Sequence, residues 1–173
     1  MDAAKLLQHM AWANREIFSK VAELPDEALD AYAVNPEWTA REIIRHMASS
    51  ATYCGYRLVD KEALSESENL EWQAKLEATH VPPANMSEMT VILDRIAAAD
   101  GELLRAASQP EGFVVHTMDG RTVSRARSTI ISQSIYHATE HRAQLISALE
   151  AKGFAGINLD DHDVWYFSDT IGE

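Results

Sequence analysis

Leu6, Met10, Ala13, Ile17 and Val21 recur every three or four residues and form one apolar stripe, which predicts a helix over roughly 3–22. Leu24-Pro25-Asp26 ends it, and Asn35-Pro36 marks a turn. A second helix is expected over roughly 39–60, with Ile43, Ile44, Met47, Ala51, Cys54 and Leu58 on its buried face. Thr39-Ala40-Arg41-Glu42 fits a capping box at its start, and Trp38 and Ile43 occupy the two positions of a hydrophobic staple. Residues 61–85, which include Pro82-Pro83, lack a periodic stripe and read as a long irregular connection. Met89, Ile92, Leu93, Ile96, Leu103 and Leu104 then mark a third helix over roughly 86–108. Residues 113–124 place β-prone runs on either side of Asp119-Gly120, the signature of a hairpin. Ile131, Ile135, Ala138, Leu145 and Leu149 define a fourth helix over roughly 125–150, with Gly153 as its stop signal. The fold class expected is therefore all-α. It is a four-helix bundle with one long crossover between helices two and three and a small β-hairpin before helix four.

The chain of 173 residues suits a single domain spanning 1–173, long enough to bury a substantial core. Its 27 acidic against 15 basic side chains give a net charge of −12, which repels phosphate backbones and argues against a nucleic-acid partner. One cysteine, Cys54, forbids an internal disulfide and suits a reducing compartment. No apolar run approaches the roughly 18 residues of a membrane span, and the amphipathic N-terminus does not read as a signal peptide. A soluble, cytoplasmic protein without a membrane partner is expected. Trp165, Tyr166 and Phe167 are adjacent in an otherwise acidic tail, which predicts that the tail packs on the bundle or on a partner.

His137 and His141 lie one turn apart, separated by about 40° around the helix axis, and can reach one metal ion. Spacing alone leaves open a coincidence on a polar face. The pair sits at the border of the buried stripe, however, since Ile130 and Ala148 fall within about 20° of His137 and Leu145 within about 80°. His46 has the same relation to Ile43 and Met47 on the second helix. Three histidines on two helices can thus face a common space, as an open three-histidine metal site requires.

Other residues offer weaker chemistry. His137-Ala-Thr-Glu140-His141 also matches the H-x-x-E-H pattern of inverted zincins, with Glu140 as base and Glu150 as the remaining ligand, but only 32 residues follow His141. A di-iron bundle needs two Glu-x-x-His motifs, and the chain offers Glu77-Ala-Thr-His80 beside the prolines. Glu42, Tyr53 and Gln133 could line a site near the trio, but capping accounts for Glu42 and core packing for Tyr53, and surface exposure accounts for Gln133 equally well. Cys54 falls on the apolar side and reads as a small buried hydrophobe. Arg125 and Arg127 could meet an anionic substrate or simply flank the helix. His162 lies among Asp160, Asp161 and Asp163, as in a charged surface turn, and His9, His80 and His116 show no pattern linking them to the trio.

WTAREIIRHMASS at 38–50, SQSIYHATEHRAQL at 132–145 and NLDDHDVWYFSD at 158–169 together resemble the DinB-like (DinB/YfiT-like) family. The resemblance covers nearly the whole chain in element order. It implies a divalent metal, zinc or nickel, held by His46, His137 and His141, and a homodimer. It also implies a thiol-S-transferase or a thiol-dependent isomerase. Such an enzyme acts on a small-molecule electrophile with a low-molecular-weight thiol such as bacillithiol, mycothiol or glutathione as cosubstrate. A non-catalytic metal-binding protein, structural or sensor, is the alternative, with a metal-dependent hydrolase behind it. No catalytic residue beyond the ligands is identified.

Overall fold

The computed structural model describes residues 3–59, 61, 63–118 and 120–173, with the side chains of 116–118 outside the description. Among the described residues the architecture is predominantly helical, with one two-stranded antiparallel sheet. Four long helices carry the core: α1 (Ala3–Val21), α2 (Ala40–Leu58), α4 (Met89–Ala107) and α5 (Arg127–Ala151). Both α1 and α2 pack against α4 and α5. The expected periodic residues supply most of that core, including Met10, Ala13, Ile17, Ile43, Ile44, Ile92, Ile96, Leu145 and Leu149. In α1 the stripe is broader than expected, because Leu7 and Phe18 are also fully buried while Leu6 is half-buried.

The connection between α2 and α4 is not irregular. It contains a further helix, α3 (Glu66–Ala78), followed by a 3-10 turn at Met86–Glu88. The capping box expected at Thr39 is instead found here. Ser65 accepts from the Glu68 amide, and the Glu68 carboxylate accepts from the Ser65 amide. At α2, Thr39 occupies the cap position without a side-chain bond, and the Glu42 carboxylate that would reach back to the Thr39 amide accepts from Arg45 Nε at 2.8 Å instead. Only Trp72 of α3 is buried, so burial periodicity cannot reveal it. Its start is set by capping and its body by helix-forming Glu, Leu, Gln, Ala and Lys.

The hairpin is β1 (Phe113–Met118) with β2 (Arg121–Ala126), in the register Phe113↔Ala126 to Met118↔Arg121. Asp119 of its turn and residue 60, the expected end of helix two, lie outside the described residues. Arg125 and Ala126 belong to β2, so α5 begins two residues later than expected. Gly153 takes a left-handed φ of 87°. The Gly153 amide bonds Glu150 O and the Phe154 amide bonds Leu149 O, a Schellman closure of α5.

The tail folds back as a 3-10 turn at Asp160–His162 and a short helix, α6 (Val164–Thr170), against α1. Phe167 is buried against His9 and Trp12, and Tyr166 stacks on Trp12. Trp165 is 84% exposed, so docking of the tail covers one of the three aromatics fully and leaves another in solvent. His162 is not in a solvated turn: it is buried, its Nδ1 bonds Asn158 O at 2.7 Å, and its carbonyl accepts from His9 Nε2 at 2.8 Å. An ion pair between Lys5 and Glu173 ties the C-terminus to α1.

Candidate metal centre

His46 projects from α2, and His137 and His141 project from successive turns of α5. Their rings converge where the two helices pack. His137 Nε2 lies 3.0 Å from His46 Nε2 and 3.1 Å from His141 Nε2, and the potential ligand atoms of all three lie within 4.8 Å of one another. Two nitrogens bound to one tetrahedral zinc at ~2.0–2.1 Å stand about 3.3 Å apart, so this spacing is close to that of a ligand set. Three imidazole lone pairs at such range repel unless a proton or cation lies among them. The cluster could therefore hold a divalent metal. His141 is buried and the other two are half-buried, so the group meets solvent on one side.

The protonation states suit the same purpose. Burial holds His46 below the ordinary imidazole range, with the charges of His141 and Arg45 adding to the effect and Glu140 opposing it. Burial pulls His137 further, to about 4, reinforced by His141 and His46. Near neutral pH both rings are therefore neutral, the form that binds metal.

Two residues around the cluster carry roles that periodicity did not assign. The Gln144 side-chain carbonyl lies 2.9 Å from His141 Nδ1 and accepts from Trp38 Nε1 at 2.9 Å. A carbonyl oxygen can only accept, so His141 carries its proton on Nδ1 and presents the Nε2 lone pair to the cluster. Trp38 also sets its ring edgewise on His46 and His141, at centroid distances of 5.3 and 5.9 Å. The sequence places Gln144 one turn beyond His141, but nothing in that spacing shows its acceptor oxygen bound between an imidazole and an indole. Gln144→Leu is expected to leave the fold intact and to weaken zinc binding by roughly 10–100-fold, the usual cost of losing such a supporting bond, read by competition against a chromophoric chelator.

The remaining candidates lie elsewhere or act otherwise. Glu140 is exposed and is approached by Gln144 Nε2 at 3.5 Å, and Glu150 is exposed at the end of α5. Among the described residues no carboxylate joins the cluster, whereas His46 does. Glu42 is engaged by Arg45, Gln133 is exposed, and Tyr53 lies under the Arg57 guanidinium at 4.2 Å. Burial pushes the Cys54 thiol up, away from nucleophilic character. Arg125 is exposed on β2, and Arg127 Nη1 donates to Leu58 O at 3.4 Å. His80 is exposed after α3, and the His116 side chain lies outside the described residues.

The fold is mostly helical, and it brings together three histidines that could hold a metal ion. The chain belongs to the DinB family, whose family model matches residues 1–166. No curated protein and no solved structure matches it.

Proposed function

We propose that the chain is a metal-dependent thiol-S-transferase or thiol-dependent isomerase acting on a small electrophilic molecule. The convergence of three neutral imidazoles on a point open to solvent on one side carries this reading. A divalent cation there, zinc or nickel, would lower the pKa of a thiol that it held and so supply thiolate at neutral pH. His46, His137 and His141 would hold the ion, Gln144 would keep His141 in the binding tautomer, and Trp38 would wall the site. The thiol comes from a low-molecular-weight cosubstrate, because the raised pKa of Cys54 makes it a poor nucleophile.

In this reading the protein is cytoplasmic and a single domain. The four long helices act as a four-helix bundle whose crossover is the α2–α4 connection. Among the described residues no helix is long and apolar enough to cross a membrane.

The test compares metal-loaded and stripped protein, free of any affinity tag, with glutathione, bacillithiol and mycothiol against a panel of electrophiles. The loaded form should accelerate conjugation or isomerisation with one of the thiols and the stripped form should not, while Cys54→Ser retains the activity. Equal rates in both states would favour a non-catalytic metal-binding role.

A homodimer belongs to the same proposal. Trp165 and Tyr136, 84% and 75% exposed, are the kind of surface that association covers. Sedimentation at micromolar concentration should give twice the chain mass, and a monomer would count directly against it.

A further inference from the structure

Behind the three-histidine cluster, between the long helices, is a cavity of about 20 Å³ lined by Asn14, Ala51, Cys54, Asp100, Ser134 and His137 among others. That is room for one water molecule. Its wall is mainly apolar, from Met10, Met47, Ile96 and Leu103, but a few polar side chains enter it, and one of them is unsatisfied. Asp100 is 2% exposed. Its Oδ2 accepts from Asn14 Nδ2 at 3.1 Å, but its Oδ1 is buried with no partner among the described residues. Arg142 does not fill the gap, since its Nη1 donates to Asn14 Oδ1 at 2.8 Å and its Nη2 to Thr139 Oγ1 at 3.2 Å.

A buried carboxylate oxygen left without a donor costs several times what an ordinary hydrogen bond contributes. His137, which also lines the cavity, has turned Nε2 to the other two histidines. Its Nδ1 then needs an acceptor if Nε2 is to keep its lone pair, and Nδ1 is the ring nitrogen left to face the cavity.

We infer that one water in this cavity accepts from His137 Nδ1–H and donates to Asp100 Oδ1, making Asp100 a positioning residue for the three-histidine centre. The water's second hydrogen has Ser134 Oγ or Cys54 Sγ within the same lining. Ser134 Oγ spends its own hydrogen on Ile130 O at 2.9 Å and so remains an acceptor. The three histidines are then oriented from two sides: His141 by Gln144, in direct contact, and His137 by Asp100, through water.

This inference rests on the metal-centre reading, but the bridging water can be located without metal. The test uses a high-resolution crystal structure of the metal-free protein, zinc titration and two variants. Asp100→Leu removes the acceptor. Ala51→Val leaves the carboxylate in place and fills the cavity with methyl groups. In the wild type, one water should lie within about 3.2 Å of both Asp100 Oδ1 and His137 Nδ1. In both variants that water should be gone, and the zinc dissociation constant should rise roughly 10–100-fold.

Should Asp100→Leu fail to fold, Ala51→Val still decides the matter. A wild-type cavity holding no water between the two atoms would overturn the inference. So would a folded Ala51→Val protein that has lost the water and binds zinc with wild-type affinity. If the wild type shows the water, lost in Ala51→Val, yet binds no zinc at micromolar concentration, the water bridge stands and the metal reading falls. If zinc binds and neither variant shifts the affinity, the metal reading stands and Asp100 is not a positioning residue.

Discussion

His46→Ala should all but abolish divalent-metal binding, although residue 46 lies 91 positions from its neighbour in the cluster. Removing a supporting group around a metal site already costs roughly 10–100-fold in affinity, and removing one of three ligands must cost more. The wild type should carry about one transition-metal ion per chain, as three imidazoles suit zinc, nickel, copper or iron. Metal analysis of tag-free protein, with far-UV circular dichroism to show that the helices persist, measures the effect. His137→Ala and His141→Ala should behave alike, and Glu150→Ala should retain full metal. If His46→Ala kept its metal while Glu150→Ala lost it, the two histidines of α5 would belong to an inverted-zincin arrangement instead.

The second large effect concerns Asp100 and stability. Burial drives its carboxyl up from 3.8 to about 6, against the opposing influence of the Asn14 bond and of Arg142 and Arg15. The folded state therefore holds a proton between about pH 4 and 6 that the unfolded chain has released. A protein that binds more protons folded than unfolded loses stability as pH rises through that window. The displacement corresponds to about 3 kcal/mol, fully developed above pH 6.

Asp100→Asn removes this group's titration and shares every other one, including the opposite drift from His137. Urea unfolding of both proteins from pH 3.5 to 8 should show the wild type losing up to about 3 kcal/mol relative to the variant, with the change centred near pH 5. Arg142, whose guanidinium burial lowers to about 10, stays charged throughout and adds no slope. A constant difference between the two proteins across this range would mean that the buried carboxylate is not penalised.

Residue order reached far into this protein wherever one-dimensional periodicity reports burial. Four helices with apolar stripes could be placed to within three residues at each end, because a helix that packs on others must repeat its buried side chains every three or four positions. The hairpin was visible for a related reason, a turn dipeptide between β-prone runs. His137 and His141 were legible as a pair because helical spacing puts them on one face, and His46 was joined to them by its place at a stripe border and by the family's motif pattern.

The same logic explains the failures. Helix α3 buries Trp72 alone, so a helix sustained by a cap and by propensity left no stripe to find. Thr39 and Glu42 matched a capping box in letters, but the competing Arg45 ion pair decided where the carboxylate went. His162 sat in an acidic stretch that looked like surface and was buried by the return of the tail onto α1.

The supporting groups of the histidine cluster were beyond reach for a more general reason. Gln144 finds Trp38 across 106 positions, Asn14 finds Asp100 across 86, and Arg142 finds Asn14 across 128. A polar side chain on a helix advertises nothing about its partner. Which donor meets which acceptor depends on the rotation and rise of each helix relative to the others, quantities set by the packing of the whole core. Local pattern accounts for most of the elements and for the faces that bear the three histidines. The distances among three imidazoles, the tautomer of His141 and the unpartnered oxygen of Asp100 exist only once those helices are packed.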